Sequence, residues 1–249
     1  MGPDADLVVD VTVIAMWAHP RAASTAFLRM MIARGDVTVV HEPLVTLTDW
    51  QETPLPDRDG GTRVCRTPGE ILSHLVDLGR DRTVFFKDTM EYRYQYLHDH
   101  PDEIAGIEHT FIVRDPAKAI SSHFAMKPAM SCSDVGYEHQ WHLFELARQV
   151  LGREPVVVDA DRLLREPAAV VAAYCAAVGL PFRPEALTWA PEDRSEWQRT
   201  RQWHVDASRS SGFGAPAKQY GATVANNDLL RSYYEHHLPF YERLVEHAL

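Results

Sequence analysis

The stretch from Met16 to Leu28, MWAHPRAASTAFL, constrains this chain more than any other part of it. An apolar run, Val11 to Ala15, leads into it, and a helical pattern over Thr25 to Ala33 follows. These patterns predict a buried strand, a tight loop and a helix N-terminus. The loop holds one cation, Arg21, then the small residues Ala22 and Ala23, then the hydroxyls of Ser24 and Thr25, with Ala26 opening the helix. Free backbone N–H groups and the positive end of the helix dipole meet at such a junction, which favours a bound phosphate or sulfate. The plainer reading is a strand–turn–helix junction closed by an ordinary Ser or Thr cap. The loop is not a Walker A motif, because no glycine lies between Pro3 and Arg34.

The rest of the chain narrows the field. A length of 249 residues predicts one domain or at most two, and a single domain over 1–249 is the reading taken. The formal net charge of −10 argues against non-specific nucleic-acid binding, which rests on Lys and Arg neutralising phosphates. An anionic ligand then needs a local basic pocket. No apolar run is long enough to span a bilayer, and the acidic start Met1 to Asp6 lacks the regions of a signal peptide. The expectation is a cytoplasmic protein with no membrane contact. Three cysteines, Cys65, Cys132 and Cys175, stand far apart without a CxxC pair, which predicts no disulfide framework. Thirteen histidines are scattered with no zinc-type spacing, so no metal site is expected. His236 and His237 read as a solvated face of a C-terminal helix.

Five short apolar runs read as buried strands: Leu7 to Ala15, Val37 to Val40, Val84 to Phe86, Thr110 to Val113 and Pro155 to Val158. Helical patterns separate them, over Thr25–Ala33, Glu70–Leu78, Tyr92–Ile104, Pro116–Phe124, Tyr137–Leu151 and Pro167–Val178. The alternation predicts an α/β fold of three layers, a central mainly parallel sheet flanked by helices. Thr53–Thr67 reads as a loop, rich in Pro, Asp and Gly. The segment 188–216 carries Trp189, Trp197 and Trp203 among polar residues and reads as an aromatic loop or lid. A long amphipathic helix over 226–249, kinked at Pro239, closes the chain.

Ligands of such sheets bind at the C-terminal strand ends. Arg21, Ser24 and Thr25 follow the first run, His41 and Glu42 the second, Lys87 and Asp88 the third. Arg114 follows the fourth, with Ser122 eight residues on, and Asp159 and Asp161 follow the fifth. A strand-end arginine and a serine two turns into a helix can grip one phosphate, the arginine as a bidentate fork. A surface pair between Arg114 and Asp115 is the plain alternative.

Together these segments resemble the sulfotransferases that use 3′-phosphoadenylyl sulfate. The ordered set is Pro20-Arg21-Ala22-Ala23-Ser24-Thr25, Lys87, and Arg114 with Ser122. His41-Glu42-Pro43-Leu44 resembles the Glu-Pro segment of carbohydrate sulfotransferases. The likeness runs on through Asp159, Asp161 and Gly179-Leu180-Pro181-Phe182 to Trp203-His204 and Ser208 to Phe213, and is that of a bacterial and fungal branch. It implies a P-loop NTPase-like sulfotransferase fold. It also implies that Arg21 through Ala26 cradle the 5′-phosphosulfate, while Arg114 and Ser122 hold the 3′-phosphate. Arg209, Ser210 and Gly212 echo the family's C-terminal Arg-Lys-Gly segment. Two departures stand out. Ala23 replaces the usual loop glycine, and Lys87-Asp88-Thr89 lacks the Lys-x-His base of the cytosolic branch.

The reaction so implied moves a sulfuryl group from 3′-phosphoadenylyl sulfate to a hydroxyl of a small molecule, leaving adenosine 3′,5′-bisphosphate, in the manner of secondary metabolism. Sulfuryl transfer resembles phosphoryl transfer but carries less charge, so cations such as Arg21 and Lys87 suffice without a metal. Glu42 is the first candidate for the base, followed by Asp88, His204 and His41. A structural pair of Glu42 with Arg21 or Lys87 is the alternative. The tryptophan-rich segment hints at an apolar or aromatic acceptor, and a homodimer is compatible with the sequence. Competing readings keep the fold for elimination, cyclisation or phosphoryl transfer, or reduce it to a degenerate nucleotide-binding module.

Overall fold

A computed structural model describes residues 13–193, 197, 200–214 and 218–249. The first half runs β1 (Val13–Ala18), α1 (Ser24–Arg34), β2 (Thr38–His41), α2 (Pro43–Trp50), β3 (Thr53–Pro56), β4 (Thr62–Cys65), α3 (Pro68–Leu78) and β5 (Val84–Thr89). Next come α4 (Gln95–Asp99), α5 (Pro101–Ile104), β6 (Ile107–Val113), α6 (Pro116–Met126) and α7 (Tyr137–Leu151). The chain ends with β7 (Val156–Asp159), α8 (Ala160–Arg165), α9 (Pro167–Ala177), α10 (Arg201–Arg209) and α11 (Asp228–Val245).

Five strands form one parallel sheet in the order β2-β5-β1-β6-β7. The two-residue period of a strand splits its apolar residues between two layers. Val13, Ala15 and Trp17 of β1 face one core with α2, α3, α7 and α11. Ile14, Met16 and Ala18 face the other, with α1, α8 and α9. Burial on both faces is why these strands read as continuous apolar runs. Trp17, fully buried, donates its indole N–H to His109 Nδ1 at 2.9 Å, and the other ring nitrogen of His109 meets the Ile104 carbonyl at 3.1 Å.

The strand order creates the site. The chain leaves β1 towards β2 and β5 on one side, then crosses to β6 and β7 on the other. The loops after β1 and β6 therefore part company at the C-terminal edge, at the switch point where such sheets leave a crevice.

Several expectations change. The strand expected over Leu7 to Ala15 runs on to Ala18, and its residues before Val13 lie outside the described residues. The loop expected over Thr53–Thr67 contains the antiparallel hairpin β3–β4, whose Pro54 and Pro56 are tolerated in a two-stranded sheet with open edges. The helix expected over Tyr92–Ile104 is two short helices, broken where Pro101 cannot donate. The 188–216 segment contains the helix α10. The helix expected over 226–249 is α11, Asp228–Val245, with Pro239 inside it. Among the described residues no helix is long and apolar enough to cross a membrane.

Candidate active site

Helix α1 begins without a side-chain cap. Its N-cap is Ala23, in the left-handed region at φ 63°, and Arg21 has φ 67°. A non-glycine residue held there costs about 1–2 kcal/mol, so the fold maintains this turn against local preference. The turn aims the first N–H groups of α1 at an open cavity with no side chain closing them. Ser24 and Thr25, expected as alternative caps, lie inside the first turn instead. Ala22 does not belong to the cradle: it is fully buried in the core, and its N–H donates to the His19 carbonyl at 3.3 Å.

The second group of residues follows β6. Arg114 donates from Nη1 to the Arg21 carbonyl at 3.2 Å, and its Nε lies 3.8 Å from Asp161. The Arg114–Asp115 pair considered as the plain alternative does not form, because the Asp115 carboxylate caps α6 by accepting from Ala117 N and Lys118 N. Ser122, on α6, accepts from Arg21 Nε at 3.0 Å. Arg21 also donates to the Trp203 carbonyl on α10 at 3.1 Å. One guanidinium thus links the β1 loop, α6 and α10.

The third group joins β5 to the start of α2. Lys87 is 2% exposed and donates from Nζ to the Glu42 carboxylate. This realises the structural pair expected as one alternative for Glu42. Burial alone would raise the Glu42 pKa, but Lys87, His41 and His204 together bring it down to about 2. Asp88 is overturned as a candidate base. Successive strand residues face opposite ways, and Asp88 is fully buried beneath α2. It accepts from Leu44 N at 2.7 Å, Val45 N at 3.3 Å, Thr89 N at 3.0 Å and the Tyr94 hydroxyl at 3.1 Å. Burial and then Glu42 push its pKa up to about 7.

His204 sits on α10 between two threonines, 3.3 Å from Thr25 Oγ1 and 3.1 Å from Thr200 Oγ1. Burial, reinforced by His41, Lys87 and Arg21 against the pull of Glu42, lowers its pKa to about 3. It is a neutral imidazole at physiological pH.

All three groups line one cavity of about 710 Å³, where Arg21, Glu42, Lys87, Arg114, Ser122 and His204 converge. Ser24, Thr25, Ala23, Ala26, Arg209, Ser210 and Gly212 line it too. The sequence reading missed other wall residues. Val45, Asp49 and Thr89 lie near Glu42 and Lys87 in the chain, while Lys218 and Tyr220 follow the aromatic segment. Of the three tryptophans expected over the site, Trp203 lines it, while Trp189 and Trp197 pack against the core.

The cavity can therefore hold two anionic groups, one at the α1 N-terminus and one between Arg114 and Ser122. Among the described residues, two sets of side chains also have metal-ligand types within 4.8 Å of one another: His41, Glu42 and His204, and Cys132, His236 and His237. In the first, the Lys87 ammonium already neutralises Glu42. In the second, His237 Nε2 meets the Cys132 carbonyl at 2.7 Å and His236 pairs with Glu138 at 3.0 Å. His236 is exposed, as expected for a solvated face, whereas His237 is fully buried and departs from it.

Comparison with known proteins agrees with this fold. Two Arabidopsis thaliana proteins, branched-chain-amino-acid aminotransferase-like proteins 1 and 2, are 28% and 27% identical over 255 and 247 residues. The alignments cover 95% and 94% of this chain, which spans only 42% of each of those relatives. The sulfotransferase domain of the Synechococcus PCC 7002 olefin synthase superposes with a TM-score of 0.59 at 14% identity, covering 94% of this chain and 96% of that one, a likeness of fold. A family model of the sulfotransferase domain matches residues 12–248, and with the switch-point cavity in place we conclude that the chain belongs to that family.

Proposed function

We propose that the protein transfers a sulfuryl group from 3′-phosphoadenylyl sulfate to a hydroxyl of a small molecule. The observation that carries this reading is that two anion-binding groups share one cavity with the Lys87–Glu42 pair. The α1 N-terminus, with Arg21, Ser24, Thr25 and Ala26, receives the 5′-phosphosulfate. Arg114 and Ser122, with Arg209, Ser210 and Gly212 that line the same cavity, receive the 3′-phosphate. A nucleotide with phosphates at both ends of its ribose needs this pairing.

In the reaction the acceptor oxygen forms a bond to sulfur as the bridging S–O bond breaks. The electron pair of that bond leaves on the 5′-phosphate. Lys87 and Arg21 stabilise the charge that collects there, and the hydroxyl proton passes to Glu42. Glu42 is a poor base while paired with Lys87. When Lys87 turns to the departing bridging oxygen, burial again dominates at Glu42 and its proton affinity rises. The pair thus couples leaving-group stabilisation to proton removal.

The test is incubation with radiolabelled 3′-phosphoadenylyl sulfate and a panel of hydroxylated molecules, with and without a metal chelator. The expected result is release of adenosine 3′,5′-bisphosphate that requires an acceptor and is unaffected by the chelator. Consumption of the donor without a sulfated product would favour elimination chemistry on the same fold.

A further inference from the structure

We infer that His19 is a positioning residue that sets the separation of the two anion-binding groups. The inference rests on the proposal that Arg114 binds the 3′-phosphate. His19 is the first residue after β1, which ends at Ala18, and it stands two residues before Arg21. It is fully buried and does not line the cavity, so it acts through its neighbours.

Its two ring nitrogens have fixed and different tasks. Nε2 accepts from the Arg114 backbone N–H at 3.0 Å. Nδ1 must then carry the proton, and it donates to the Pro20 carbonyl at 2.9 Å. One imidazole thereby joins the backbone of the β1 loop to that of the β6 loop, across the switch point. The ring stacks on Tyr137 with centroids 3.9 Å apart. The Tyr137 hydroxyl donates to the Arg114 carbonyl at 2.6 Å. Both backbone groups of Arg114 are thus held, one by His19 and the other by the residue that His19 stacks on.

The neighbours close the circuit. Arg114 Nη1 returns to the Arg21 carbonyl at 3.2 Å. Gln140, one turn after Tyr137, donates to the Trp17 and Ile112 carbonyls at 2.9 and 3.0 Å, tying β1 to β6 just below. Burial keeps the imidazole neutral, against the pull of the Pro20 carbonyl, so Nε2 remains an acceptor at physiological pH. A leucine could fill the same space but could not accept from Arg114. A glutamine could accept and donate at both ends.

The experiment compares adenosine 3′,5′-bisphosphate with adenosine 5′-monophosphate by calorimetry on the full chain. The ratio of the two affinities reads the 3′-phosphate contact alone. In His19→Leu the ratio is expected to fall at least about tenfold, the loss of one good contact to a charged group, with the monophosphate little changed. His19→Gln restores most of the ratio. Tyr137→Phe lowers it in the same direction and serves where His19→Leu does not fold. Equal weakening of both ligands in His19→Leu, or an unchanged ratio in the folded variants, overturns the inference. A wild-type protein that does not distinguish the two ligands overturns instead the assignment of Arg114 to the 3′-phosphate.

Discussion

Replacing Lys87 with methionine is expected to lower kcat by about 10²- to 10³-fold, the usual effect of removing one group that stabilises developing charge in a water-poor site. Affinity for adenosine 3′,5′-bisphosphate is expected to change much less, because the α1 N-terminus and Arg114 remain. Methionine fills the buried channel of the lysine stem, so the loss reports on the ammonium rather than on a cavity. The substitution has a second consequence. Lys87 is the largest influence holding the Glu42 carboxylate ionised against its burial. Without it the Glu42 pKa rises, and the acid limb of the pH–rate profile moves to higher pH. Steady-state kinetics of the variant across about pH 4–9, which spans ordinary carboxylate and histidine titration, check both effects. A near-normal kcat would remove Lys87 from the chemistry. A large loss with an unmoved acid limb would remove Glu42 as the base.

Steep acid destabilisation is the second large effect expected. Five buried histidines have pKa values lowered by burial: His19 and His204 to about 3, and His109, His123 and His237 to about 4. Each stays neutral in the folded protein but takes a proton in the unfolded chain below about pH 6.5. The unfolded state therefore binds more protons, and stability falls as pH drops from about 6.5 towards 4. Asp88 works the other way. Its folded pKa is raised, so its contribution is full below its unfolded value and is lost as pH rises towards 7. Five histidines outweigh one aspartate in this window. Urea denaturation at a series of pH values checks the balance: unfolding at pH 5 is expected to take up several protons. A midpoint that is flat between pH 7 and pH 5 would contradict it.

Local signals carried much of this. The β1 loop, the strand-end cations and the Arg114–Ser122 spacing were readable because each depends on residues close in sequence. The losses arose where a distant residue decides a local outcome. Helix α2 was missed because its cap, the Asp88 carboxylate, comes from β5. The same carboxylate, read as a strand-end base, proved to face the core, and strand alternation next to Lys87 was the signal that could have said so. Helix α10, RQWHVDASR, was hidden because it begins without a side-chain cap and lies in a loop-like stretch, and Arg21 and Thr25 hold it from across the cavity. His19 lies inside the Met16–Leu28 stretch, yet its role needs Tyr137 and Arg114, far along the chain. The left-handed turn at Ala23 could be anticipated from the family's glycine there, though not why an alanine is held in it.

The central claim is a cavity built for a nucleotide with phosphates at both ends of its ribose. Titration calorimetry of the unmodified protein with adenosine 3′,5′-bisphosphate, and with ATP beside it, tests that claim most directly. The account predicts saturable one-site binding of the bisphosphate and, by comparison, at least about tenfold weaker binding of ATP, which lacks the 3′-phosphate. Binding of ATP as tight as that of the bisphosphate, or binding of neither, would contradict it.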